Sequence, residues 1–107
     1  MLEPARITEI ADELFVADRD RTTVPLLTAR HPGMTVDDAY AVQSLWAERR
    51  REAGARLVGR KIGLTSKVMQ VATGITEPDY GVIFDDMVID SGATVEFDRF
   101  SNVRIEV

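Results

Sequence analysis

The chain has no cysteine, one histidine, one tryptophan and four prolines among its 107 residues. Without thiols it can hold no disulfide framework, zinc-thiolate site, iron–sulfur cluster or cysteine nucleophile. No apolar run approaches the ~18 residues of a membrane span. Thirteen Lys and Arg face eighteen Asp and Glu, a net charge of −5, which argues against nucleic acid or an anionic membrane as a partner. The opening MLEPARITEIADEL carries early acids and lacks the apolar stretch of a secretory signal, so a cytoplasmic location is expected. Neither G-x-x-x-x-G-K-[ST], G-x-G-x-x-G nor G-x-S-x-G occurs, so phosphate loops, dinucleotide loops and serine-hydrolase elbows are not indicated. What remains is a mixed composition, 45% hydrophobic and 29% charged. It suits one globular domain with a modest core and excludes collagen-like or disordered chains.

The hydrophobic spacing divides the chain into two textures. Ile7, Ile10, Ala11, Leu14 and Phe15 recur at helical intervals and predict a helix over 3–19, with Pro4 suited to its first turn. Residues 19–34 lose that period and collect Thr22, Thr23, Pro25, Pro32 and Gly33, the marks of an ordered connection. His31, just before Pro32, reads as a surface loop residue. A second helix is predicted over 35–53. Thr35 can cap it, Asp37 and Asp38 complement its positive end, Arg49, Arg50 and Arg51 its negative end, and Gly54 follows. Beyond Gly54, Leu57–Ile62 reads as a strand ending at Gly63, and Ser66 as the N-cap of a short helix over Lys67–Thr73 closed by Gly74. Glu77–Gly81 reads as a loop. Val82–Phe84, Met87–Ile89, Thr94–Phe97 and the alternating Val103–Val107 read as short strands. The expected fold class is α+β: a helical region over 1–54, then the start of a β-rich domain over 55–107.

Few residues offer chemistry. Seven acids lie between Glu77 and Asp98 with no base among them. Their spacing fails the EF-hand pattern, and Asp85, Asp86 and Asp90 read as turn residues. Lys61 sits inside an apolar strand. It is either a solvated residue of an edge strand or a cation turned toward a cleft, able to bind an anionic substrate or exchange protons. The strand–Gly-Leu-Thr-Ser–helix junction beside it, ending at Ser66, favours the second reading because its backbone N–H groups can receive a carboxylate. Glu106, between Ile105 and Val107, is an ordinary strand carboxylate unless a second acid two residues on shares its face, an arrangement suited to Mg²⁺ or Mn²⁺.

The strings Gly59-Arg60-Lys61-Ile62-Gly63-Leu64-Thr65-Ser66-Lys67, Glu77-Pro78-Asp79-Tyr80-Gly81, Asp85-Asp86-Met87, Asp98-Arg99-Phe100 and Arg104-Ile105-Glu106-Val107 resemble the 2-hydroxydienoate hydratases of the fumarylacetoacetate hydrolase superfamily. These include the 2-oxohept-4-ene-1,7-dioate and 2-hydroxypenta-2,4-dienoate hydratases of aromatic catabolism. The resemblance extends to Asp38–Gln43 and implies a mixed β-rich core and a homo-oligomer. It implies Mg²⁺ or Mn²⁺ as cofactor, with Glu106 as a metal ligand and the second acid of an E-x-E pair falling immediately after Val107. The chain would then be the N-terminal part of a longer enzyme, truncated between two ligands and inactive alone. By the same resemblance Lys61 and Asp79 are the catalytic candidates, and Lys61 and Ser66 contact a small dicarboxylate 2-hydroxydienoate or 2-oxoenoate substrate. Two other readings stay open: an enzyme of the 4-oxalocrotonate decarboxylase type, and a non-catalytic assembly or interaction module.

Overall fold

The structure is a computed structural model that describes residues 1–106. Helix α1 covers Pro4–Asp20, a short α2 covers Leu27–Arg30 and α3 covers Val36–Glu52. Strand β1 (Leu57–Gly63), helix α4 (Lys67–Thr73) and strand β2 (Asp79–Phe84) follow. Single turns of 3₁₀ helix occur at Asp85–Met87 and Phe97–Arg99.

Helix α1 starts with Pro4 at its first position, where the missing N–H is no loss, and stops at Arg21 in the left-handed conformation. Its stripe of Ile7, Ile10, Ala11 and Leu14 packs against Val42, Leu45 and Trp46 of α3, with Leu2, Leu27 and Met34 closing the ends. Two surface pairs reinforce the packing: Arg49 with Asp12 and Arg30 with Glu13, each at 2.8 Å. α2 interrupts the connection expected over 19–34. His31 is half-buried, and its Nε2 has no partner among the described residues.

The start of α3 is a capping box. The Thr35 hydroxyl accepts from the Asp38 N–H at 3.1 Å, while the Asp38 carboxylate accepts from the Thr35 N–H at 2.8 Å. Asp38 also accepts from the Leu2 N–H at 3.1 Å, so one carboxylate only 3% exposed ties the N-terminal segment to α3.

β1 and β2 pair antiparallel, with Lys61 opposite Gly81, Ile62 opposite Tyr80 and Gly63 opposite Asp79. A register irregularity lies between Leu57 and Gly59. The far end of the ribbon closes when the Asp85 carboxylate and the Arg56 carbonyl take the Arg56 and Asp85 N–H groups, each at 2.9 Å. Phe84, fully buried, meets Trp46 of α3 edge to face at 5.7 Å between ring centroids.

The sequence expectations are corrected on the β side. β2 begins at Asp79, so Asp79–Gly81 are strand and not loop. Met87–Ile89, Thr94–Phe97 and Val103–Glu106 are not strands, and the two-stranded ribbon is the sheet among the described residues. A strand needs a hydrogen-bonded neighbour, and these alternating segments have none here. Met87 instead closes a 3₁₀ turn in which its sulfur accepts from the Phe84 N–H at 3.4 Å. Val107, included in the last expected strand, lies outside the described residues. The fold is thus mixed helix with a small antiparallel sheet.

The Thr35 backbone N–H, the Leu2 N–H, the Thr35 hydroxyl and the nearby N-terminal charge hold the Asp38 carboxyl below the usual aspartate value, against the opposing effect of burial. A depressed folded-state pKa stabilises above the unfolded value, near ~3.9, and that stability is lost as pH falls through the folded value. Asp38→Asn is therefore expected to be less stable than the parent at neutral pH, with the gap narrowing toward about pH 3. Urea unfolding at both pH values checks this, and a gap independent of pH contradicts it.

Candidate functional site

Strand alternation puts Lys61 and Gly63 on one face of β1, and the register puts Gly81 and Asp79 beside them on β2. All four residues line one cleft of about 1060 Å³ between the ribbon and the helical pair. Its opposite wall is largely apolar, with Leu14, Val24, Leu27, Val42 and Trp46, and Tyr40 and Gln43 complete it. Tyr40 stacks on Tyr80 with centroids 4.6 Å apart, and Gln43 Nε2 donates to the Tyr80 carbonyl at 3.4 Å. These contacts dock β2 onto α3 alongside the cleft.

The glycines of the two motifs have a steric reason. A side chain at Gly63 would collide with Asp79 Oδ1, whereas a Cβ at Gly81 would meet only Gln43 Oε1 at 3.7 Å. Gly63 therefore makes room for the Asp79 carboxylate, and Gly81 leaves the space across from Lys61 open.

Lys61 Nζ donates to Glu106 Oε2 at 2.7 Å, joining residues 45 apart in sequence. Both side chains are largely exposed, so the pair is worth little to stability. Its chemical effect is clearer. The hydrogen bond and charge of Glu106, with Asp79 adding its own charge, raise the Lys61 pKa, and Lys61 in turn lowers that of Glu106.

Of the four residues singled out from sequence, Lys61 and Asp79 share the cleft and Glu106 pairs with Lys61. Ser66 does not line the cleft; its hydroxyl accepts from the Met69 N–H at 3.5 Å as the N-cap of α4. Among the described residues no group of three or more His, Asp or Glu comes together as a metal site. Glu106 offers one donor, and one carboxylate cannot hold Mg²⁺ against water. These residues by themselves do not fit a divalent cation. Asp85 and Asp86 serve structure: Asp85 closes the ribbon, and Asp86 takes Arg50 at 2.5 Å. Sequence reasoning missed Gln70, which is buried beside the turn that follows Lys61; its place in the run after Ser66 was the available signal.

Gly63→Ala is expected to displace the Asp79 carboxylate, while Gly81→Ala leaves it in place. The Asp79 side-chain carboxyl resonance checks this; an unmoved resonance in Gly63→Ala contradicts it.

No protein-family model matches the sequence. The chain is 44% identical to a 2-oxo-hept-4-ene-1,7-dioate hydratase of Escherichia coli over 100 residues, 94% of this chain and 38% of that protein. It is 40% identical to a 2-keto-4-pentenoate hydratase of Paraburkholderia xenovorans strain LB400 over 105 residues, 98% of this chain and 39% of the relative. The fold superposes on 4-oxalocrotonate decarboxylase from Pseudomonas putida G7, solved with magnesium and adipate. That match has a TM-score of 0.76 and 30% identity over 80% of this chain and 33% of that one. The chain thus spans about two fifths of the length of the curated relatives it matches. Over that span the chain is similar to 2-oxo-hept-4-ene-1,7-dioate and 2-keto-4-pentenoate hydratases.

Proposed function

We propose that these residues supply the lysine-bearing part of the active site of a hydro-lyase that adds water to a 2-oxo-4-enoate of the 2-oxohept-4-ene-1,7-dioate type. The observation that carries this reading is the meeting of motifs far apart in the chain: Lys61 and Asp79 line one cleft, and Lys61 pairs with Glu106. Identities of 44% and 40% to hydratases support it.

In this reading the Lys61 ammonium anchors a substrate carboxylate, and the space across from it at Gly81 admits the ligand. Asp79, kept clear by Gly63, is placed to pass a proton. The 2-hydroxydienoate gives up its C2 hydroxyl proton and gains one at C5, leaving the C3–C4 double bond conjugated to the C2 carbonyl. Water then delivers hydroxyl to C4 and a proton to C3, giving a 4-hydroxy-2-oxo acid. The apolar opposite wall excludes bulk water from the conjugated chain. Ser66 contacts substrate only if the turn at the end of β1 carries it there. Among the described residues, Glu106 is the carboxylate assigned here to a divalent cation such as Mg²⁺ or Mn²⁺. A bound cation would supply positive charge for an enolate oxygen, and its further donors have to come from outside these residues. A cytoplasmic homo-oligomer, with a helical region over 1–54 and a catalytic region from 55, completes the proposal.

A second reading has a specific observation behind it. A solved structure on which the fold superposes is a 4-oxalocrotonate decarboxylase. The higher identity to hydratases favours water addition. Incubating the full-length protein with 2-hydroxyhepta-2,4-dienedioate and Mg²⁺ should consume the dienoate absorbance and give a product heavier by one water, with EDTA abolishing turnover. Released carbon dioxide would favour the decarboxylase, and no turnover of any dienoate would leave a non-catalytic module. The 107 residues alone are expected to be inactive and to bind Mg²⁺ weakly; micromolar affinity by calorimetry would contradict the assignment of the missing donors.

A further inference from the structure

Helix α4 is packed the wrong way round for its hydrophobicity. Its valines face solvent, Val68 at 77% and Val71 at 83% exposure, while its glutamine is buried, with Gln70 only 7% exposed. A seven-residue helix oriented by apolar burial alone would turn those valines inward. What Gln70 gains is a hydrogen bond. Its Nε2 donates to the Leu64 carbonyl at 2.7 Å, and Lys67 Nζ reaches its Oε1 at 3.5 Å.

Leu64 is the residue immediately after β1, and it holds a left-handed backbone with φ of 53°. That conformation is uncommon for a bulky side chain and persists only where its surroundings impose it. It falls directly after Gly63, the residue that makes room for Asp79, and Leu64 itself lines the cleft with Lys61. The Ser66 cap holds α4 at its start, so Gln70 is carried at a fixed distance beneath the turn.

We propose that Gln70 is a positioning residue: its buried carboxamide holds the left-handed turn at Leu64, and through it fixes the end of β1 that sets Lys61 against Asp79. The proposal rests on the hydratase reading for its consequence in turnover, but not for its geometry. A displacement of about 1 Å at a reacting group costs up to ~100-fold in rate. A short amide bond under the strand end is where such precision would be held.

The test uses two variants of the full-length protein, read both by NMR and by kinetics. Gln70→Leu removes the donor at similar volume, and Gln70→Glu keeps the shape but sets a carboxylate against the Leu64 carbonyl. Both are expected to shift the Leu64 Cα and carbonyl resonances away from left-handed values. Both should also lower kcat by about tenfold to hundredfold with little change in KM. If Gln70→Leu does not fold, Gln70→Glu decides by the same two readings. A left-handed Leu64 retained in the folded variants overturns the proposal, as does an unchanged kcat once the turn has relaxed. A parent protein inactive on every dienoate sinks the hydratase reading instead, and the Leu64 resonances then decide alone whether Gln70 holds the turn.

Discussion

The guanidinium of Arg50 couples the two halves of this molecule. It projects from the last turns of α3 between the rings of Trp46 and Phe84, 5.8 and 5.0 Å from their centroids. It also reaches Asp86 beyond β2 at 2.5 Å and Asp18 of α1 at 3.4 Å. Two helices and the ribbon therefore meet on one cation. Its side chain is 16% exposed, so these charges interact with less screening than a surface pair, and the aromatic faces add their own attraction. The Nε atom is buried without a partner among the described residues, a cost that the other contacts offset. With the Trp46–Phe84 and Tyr40–Tyr80 contacts, this clasp holds the ribbon against the helical pair, and the cleft lies between them.

Within the cleft, function follows from the pairing register. A slip of one residue would send Lys61 and Asp79 to the other face of the ribbon. The glycines opposite them would cease to matter. As paired, each polar residue faces a glycine across the strands, which is why the two motifs are rich in a residue that strands otherwise disfavour. Glu106 chiefly, and Asp79 in smaller part, raise the Lys61 pKa further above its ordinary value.

The helical half was legible because its signals are local. Pro4, the Thr35–Asp38 box and the basic last turn of α3 each act within a few residues, and the apolar stripes of α1 and α3 need only each other. β1 was legible as an apolar run. The start of β2 was not, because Asp79, Tyr80 and Gly81 carry turn chemistry and are strand only through their pairing with β1. The same dependence on distant partners explains the later segments. Val88, Phe97 and Ile105 alternate as strand residues do, yet stand exposed with no neighbouring strand. For the site, Lys61 was singled out by its place in an apolar strand and Glu106 by its place between Ile105 and Val107, Asp79 by motif resemblance; no local pattern could have shown that Lys61 and Glu106 touch. Gln70 was hidden for the opposite reason: hydrophobic periodicity points to the valines around it.

The central claim is that Lys61 and Glu106, brought together across 45 positions, act as one unit. A double-mutant cycle on the full-length protein tests it most directly, with Lys61→Met, Glu106→Gln and the pair compared by kcat/KM. The account predicts that the double variant is about as impaired as the worse single one. Losses that multiply independently would contradict it.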